Sequence, residues 1–213
     1  MCRPCQSHLN QSGGILADTV VPISYSPRSS QHHHNLRTYK DAMTSSRQAR
    51  WNLLALLLLF LNDHLDCIAA RVGAAPTHLA AVPSTRGRTG LHPLAALVGD
   101  RLDRPWISST VNPRYSQGDR EFHSDWFTPN LLNLRHPMHV LILEDTWTTG
   151  ARAQSLAHAL KTSGADTVAT VVLGRHVGLG SNYAPAKRLL TAIASPVFDT
   201  TRCILDEPSK RRT

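Results

Sequence analysis

The sequence predicts an α/β fold with a doubly wound, mostly parallel sheet, and three features carry that expectation. The first is residues 139–150, HVLILEDTWTTG, where an apolar run of four ends in two acids and a hydroxyl-rich turn closing on Gly150. The second is ARAQSLAHALKTSGA, which follows at once and places Ala153, Leu156, Ala157 and Leu160 at helical spacing before Gly164. The third is the repeated alternation of short apolar runs with helical patterns along the chain, which covers a parallel sheet on both faces.

In chain order, residues 1–14 are a polar, cysteine-containing arm ending in Gly13-Gly14, and ILADTVVPIS is a short β-like run. Residues 24–41, SYSPRSSQHHHNLRTYKD, are polar, and His32, His33 and His34 are expected to be solvated. Residues 51–71 form a helix apolar nearly all round at its centre, hence buried on several sides. THLAAVP is a strand, STRGRTG a turn, and residues 91–102 a helix with His92-Pro93 at its start. PWISSTV is a strand, and residues 112–137 form a long irregular loop of the kind that is usually functional. Strand 140–144, helix 151–163 and strand 168–173 follow, and residues 186–204 supply one more helix and a short strand. The domain thus spans residues 15–205, with the arm before it and a charged tail at 206–213.

With 213 residues and 41% hydrophobic content, the chain can bury a core and is not a disordered polymer. A net charge of +8 suits polyanionic ligands. Nucleic acid is allowed but weakly supported, because only Lys210, Arg211 and Arg212 form a basic run. LLALLLLFL is nine residues long where a bilayer span needs ~20, so no membrane is expected. The first residues have no apolar core of a secretory signal, and the expected location is cytoplasmic.

Cys2 and Cys5 form a C-x2-C knuckle, half of a zinc site. His64 and Cys67, at i and i+3 on one helix face, are the candidate other half, completing a structural Zn²⁺ site of the closed tetrahedral kind. The alternative is free surface cysteines on a frayed arm.

The turn after the acids offers backbone N–H groups and the positive end of a helix dipole to an anion. Two acids before it suit ribose hydroxyls or hydrated Mg²⁺, the neighbours of a sugar 5′-phosphate. This pattern resembles the phosphoribosyl pyrophosphate (PRPP) motif of type I phosphoribosyltransferases: four apolar residues, Glu144-Asp145, two variable residues, then Thr148-Thr149-Gly150. It departs from that family after the glycine, where Ala151-Arg152 replaces a small residue and a threonine. A hydroxyl phosphate ligand is missing, and Arg152 replaces it with charge.

A second ligand-like turn, Ser84-Thr85-Arg86-Gly87-Arg88, combines hydroxyls, a glycine for close approach and guanidinium forks suited to pyrophosphate. Its position matches the diphosphate loop of the same family. YSPRSSQHHHNLRTYKD, AAVPSTRGRTGLHPLAAL and RYSQGDREFHSDWF are similar to segments of ComF-type phosphoribosyltransferases, which also carry an N-terminal cysteine knuckle. The resemblance covers most of residues 1–175 and implies a loop closing over PRPP, giving Arg114 and Arg120 a role on the leaving group.

The resemblance implies Mg²⁺-assisted transfer of phosphoribosyl to a nitrogenous small-molecule acceptor, with release of pyrophosphate. Glu144 and Asp145 would orient ribose, and Asp145 would be a candidate base. Thr146, Trp147, Thr148, Thr149, Gly150, Ala151 and Arg152 would cradle the 5′-phosphate. Three readings stand: an active transferase, a non-turnover PRPP-binding regulator or DNA-uptake protein, and an unrelated α/β protein binding another nucleotide or nucleic acid. A homodimer is compatible with each.

Overall fold

The computed structural model describes residues 3–28, 30–41, 46–84, 92–115, 118–132, 134, 136–177, 188–191 and 205. In chain order the elements are α1 (Arg3–Gln11), β1 (Thr19–Pro22), β2 (Tyr25–Pro27), α2 (Gln31–Thr38), α3 (Ser46–Val72), β3 (His78–Ala81) and α4 (Pro93–Val98). A 3-10 turn (Gly99–Leu102) leads to β4 (Trp106–Ile107), β5 (Ser109–Val111), β6 (Phe127–Pro129), β7 (His139–Trp147), α5 (Ala151–Thr162) and β8 (Thr167–Val177). The main sheet runs β1-β8-β7-β3-β4, with β2 also on β8, and β3 pairs parallel with β4 and with β7, as β2 does with β8. The fold is therefore a mostly parallel sheet with flanking helices, as the alternating pattern predicted.

The chain divides into two compact units. In the first unit the strands are continuous apolar runs: Val140, Leu141, Ile142 and Leu143 are each at most 1% exposed. This is what a strand covered on both faces requires. His78 to Ala81 pairs in register with Val140 to Leu143. Helix α5 buries Ala153, Leu156, Ala157 and Leu160, the positions its spacing predicted. Segment 15–18 is fastened to it by Ala17 N–H donating to Gln154 Oε1 at 2.9 Å and by Lys161 Nζ to Asp18 Oδ1 at 2.6 Å.

Several expectations are corrected. The N-terminal arm is helix α1, stapled by Gln6 to Asn10 and Gln11 to Ser7 side-chain bonds, with His8 buried. PWISSTV is not one strand: β4 pairs with β3, whereas β5 leaves the main sheet and pairs antiparallel with β6. Strand β7 continues through Trp147, so Thr146 and Trp147 lie in the strand rather than in the loop. The helix expected at 91–102 is shorter, and the expected terminal helix and strand fall almost wholly outside the described residues.

Helix α3 has 27 residues, longer than the 51–71 expected, and by length and composition it could cross a membrane. Leu53, Leu54, Leu57, Phe60, Leu61 and Ile68 are nonetheless buried within the fold. Trp51 and Leu59 are more than half exposed, so the helix is not enclosed on all sides.

The triple histidine is not simply solvated. His32 Nε2–H donates to the Leu173 carbonyl at 2.9 Å, and the His33 and His176 rings lie 4.7 Å apart. Burial holds His32 below the usual histidine range, and burial followed by the neighbouring His176 charge does the same to His33. His8 and His78 are lowered too, chiefly by burial. Because these folded-state values are depressed, the unfolded chain binds more protons, and their stabilisation is present above the ordinary pKa of about 6.5. It is lost as pH falls through the folded values. The melting temperature should therefore drop between pH 7.5 and 5, and His32→Gln should flatten that slope in a pH series of thermal melts.

Candidate functional site

The first unit places a cavity of about 380 Å³ at the carboxyl ends of β3 and β4, lined by Ala81, Pro83, Ser84, His92, Trp106 and Ser109 among others. That volume is in the small-molecule range, and the ends of parallel strands are where such sheets bind ligands. Ser84 opens the turn read as a diphosphate cradle, while Thr85, Arg86, Gly87 and Arg88 lie outside the described residues. Glu144 follows Leu143, the β7 residue in register with Ala81, and is half-buried.

The turn beyond β7 is built around Gly150, whose φ of 83° lies in the left-handed region and which caps the start of α5. Thr149 ties the turn together. Its Oγ1 accepts from the Ala151 N–H at 3.3 Å and donates to the Arg120 carbonyl at 3.0 Å. The turn and the Arg120 region, separate in sequence, are thus joined. Gly150 and Ala151 are buried, Arg152 is half-buried and Thr148 exposed.

Loop 112–126 is braced at its base. The Asn112 N–H donates to the Trp126 carbonyl at 2.9 Å, next to the β5–β6 ladder, and the His123 N–H donates to the buried Ser155 Oγ on α5 at 3.0 Å. Tyr115 stacks on His123 at 4.0 Å and its hydroxyl donates to Asp125. That bond raises the Tyr115 pKa and lowers that of Asp125. His123 Nε2 lies 2.9 Å from Asp119 Oδ2, and Asp119 is held low first by the Glu121 backbone N–H. The cluster orders the loop that carries exposed Arg114 and Arg120. Arg114 is anchored through its own N–H to Asn112 Oδ1 at 3.1 Å.

The second unit supplies what sequence reasoning missed. Asp145 is 5% exposed, and a buried carboxylate needs partners. The Tyr39 hydroxyl donates to Oδ2 at 2.6 Å, and Lys40 Nζ forms an ion pair with the same oxygen. Both follow the end of α2, where Arg50 Nε donates to the Tyr39 carbonyl at 2.9 Å and Arg50 Nη2 to the Asp41 carbonyl at 2.5 Å. The signal was present in the Tyr-Lys end of the tract at 25–41, but nothing local ties it to an acid 106 positions away. Thr146 is half-buried and Trp147 is 7% exposed, so the indole packs inside while its main chain continues toward the turn.

His64 Nδ1 and Cys67 Sγ of α3 lie 3.9 Å apart. Cys5 sits on α1, and Cys2 lies outside the described residues. Among the described residues no group of three or more His, Cys, Asp or Glu side chains is gathered for a metal.

No protein-family model matches the sequence, and no curated protein matches it. Among solved structures, an adenine phosphoribosyltransferase from Leishmania tarentolae is similar with a TM-score of 0.42 and 13% identity. The match covers 72% of this chain and 92% of that one.

Proposed function

We propose that this chain is a cytoplasmic phosphoribosyltransferase of the type I kind that binds PRPP with Mg²⁺ and transfers phosphoribosyl to a nitrogenous small-molecule acceptor, releasing pyrophosphate. One observation carries the reading: a buried strand leads through Glu144-Asp145 into a turn with Gly150 in the left-handed region, from which α5 starts. That order offers acids to ribose and a helix start to a 5′-phosphate. Glu144 and Asp145 would orient the ribose hydroxyls, and residues 146–152 would hold the phosphate. Arg86 and Arg88, with Arg114 or Arg120, would neutralise the departing diphosphate.

The carboxylates are oxygen donors of the type Mg²⁺ takes, and the ion, when bound with PRPP, would add charge stabilisation to the diphosphate. The leaving group departs through an oxocarbenium-like state, so the residues around it must also exclude water. A pyrophosphate-release assay over a panel of nitrogenous bases tests turnover. No release with any base, alongside tight PRPP binding, would leave the second reading, a non-catalytic PRPP-binding regulator or DNA-uptake protein. Ala151-Arg152 favours that alternative, since neither residue offers a phosphate a hydroxyl.

Arg152 separates an occupied loop from an idle one. It lies in the first turn of α5, where a cation is disfavoured by the dipole by roughly 0.3–1 kcal/mol. A bound anion would offset that. Arg152→Ala should weaken PRPP or ribose 5-phosphate binding about tenfold, the worth of one charge-assisted contact. Arg152→Thr should retain much of the affinity in the same titration. Parent-like binding by Arg152→Ala would mean that the side chain makes no contact with the phosphate.

The reading includes a structural zinc on Cys2, Cys5, His64 and Cys67, supported by the 3.9 Å approach of His64 and Cys67, close to the spacing of two ligands on a tetrahedral ion. Metal analysis of untagged protein should give about one zinc per chain, falling sharply in Cys5→Ser and Cys67→Ser. Zinc that survives loss of Cys67 would remove that ligand set.

A further inference from the structure

Helix α3 keeps one face outside the fold. Arg47, Gln48, Trp51, Asn52, Ala55, Leu59, Asn62, Asp63 and Asp66 are all exposed, and steps of three and four keep them on one side of the helix. Trp51 is 58% and Leu59 55% exposed, while the opposite side buries Leu53, Leu54, Leu57, Phe60, Leu61 and Ile68. A large aromatic and a large aliphatic left in water a turn either side of an alanine form an apolar strip that a partner can cover.

The order of residues along this face says what the cover is. Ala55 stands midway between Trp51 and Leu59, and again midway between Arg47 and Asp63. Turned end for end about Ala55, the face therefore meets its own complement. Trp51 meets Leu59 of the other copy, Arg47 meets Asp63, and Gln48 meets Asn62. Among the described residues neither Arg47 nor Asp63 is in an ion pair. Ala55 at the crossing is small enough for close approach of two helices.

Arg47 also lies in the first turn of the helix, which carries no acid and where a cation is unfavourable. An antiparallel copy brings its Asp63 beside Arg47, which offsets that penalty.

We propose that α3 is the dimer interface of this chain, pairing antiparallel with α3 of a second copy about a two-fold axis through Ala55. The contact is isologous, so it closes at two copies and does not propagate. One helix pair is at the small end of stable interfaces, so the dimer dissociates on dilution. A lipid surface and the chain's own residues 178–213 are the competing covers. The acids on one half of the face argue against an anionic membrane.

The test is analytical ultracentrifugation of the full chain over roughly a hundredfold concentration range. A concentration-dependent dimer is expected. Leu59→Glu should weaken it at least about tenfold with an unchanged circular dichroism spectrum, since the side chain is exposed in the monomer. Trp51→Ser should do the same. Asp63→Arg should weaken it about fivefold through two symmetric surface pairs, and Arg47→Asp combined with Asp63→Arg should restore it. A monomer at every concentration overturns the proposal, as does a dimer indifferent to Leu59→Glu. So does a double swap no better than the single one, or a monomer that co-sediments with neutral vesicles through Trp51.

Discussion

Glu144→Ala combined with Asp145→Ala should abolish PRPP binding while leaving a folded protein. Each acid is asked to supply charge-assisted hydrogen bonds to ribose worth about 1.5–3 kcal/mol, so losing both should cost more than a hundredfold in affinity. Isothermal calorimetry with PRPP and Mg²⁺ reads the loss, and circular dichroism reads the fold. Stability will not be untouched. The Tyr39 hydroxyl, on a side chain only 1% exposed, loses its acceptor, whereas the Lys40 amine keeps 31% exposure and can turn to water. A melting temperature a few degrees lower is therefore the signature of the lost Tyr39 bond. Asp145→Asn is the sharper single change. It leaves an oxygen for Tyr39 and removes the charge that Lys40 balances. Unchanged affinity in the double variant would sink the proposed function.

What could be read from the sequence was local. The strand at 140–144, the turn on Gly150 and the helix from Ala151 were legible because a strand covered on both faces must be uninterruptedly apolar, and a packed helix must repeat at 3.6. The end of the strand was not. Thr146 and Trp147 look like turn residues, yet the ladder continues through them, because alternation of half-buried Thr146 with buried Trp147 satisfies a strand equally well. Likewise PWISSTV contains no turn signal, although Ser108 marks where the chain leaves β3 for β6, its carbonyl accepting from the Asn130 N–H at 2.9 Å. Helix α1 has too few apolar residues to stand out; glutamine side chains bonded to Asn10 and Ser7, four residues away, brace it. In the site, the Glu144-Asp145 pair was visible but its counter-charge was not. A buried aspartate predicts that a cation exists somewhere, and only tertiary structure identifies Lys40 as that cation. The arginine-rich turn at 85–88 was named from composition and lies outside the described residues.

Gly174→Ala should damage both stability and ligand binding, although residue 174 touches no expected ligand. Gly174 lies in β8, and a Cβ there would stand 2.3 Å from Leu36 Cδ1, 3.0 Å from His32 Nε2 and 3.3 Å from Ser26 Cβ. The backbone is not the obstacle, since its φ is not in the left-handed region, so the effect comes from packing alone. Leu36 is 3% exposed and has little space to retreat into, and His32 is held to the Leu173 carbonyl beside the glycine. The relief is to push α2 outward. Overpacking of this kind costs about 1–3 kcal/mol, or a fall in melting temperature on the order of 5 °C for a chain of this size. Tyr39 and Lys40 follow the end of that same helix, and both hold Asp145 Oδ2. Displacing α2 therefore loosens the Asp145 carboxylate, and PRPP affinity should fall several-fold in calorimetry run well below the new melting temperature. His32→Ala together with Gly174→Ala removes one of the three clashing partners and should recover part of the affinity. A Gly174→Ala protein that melts like the parent would show that α2 does not lean on β8 at this point. One that is destabilised yet binds PRPP normally would show that the seat of α2 does not set the position of Asp145.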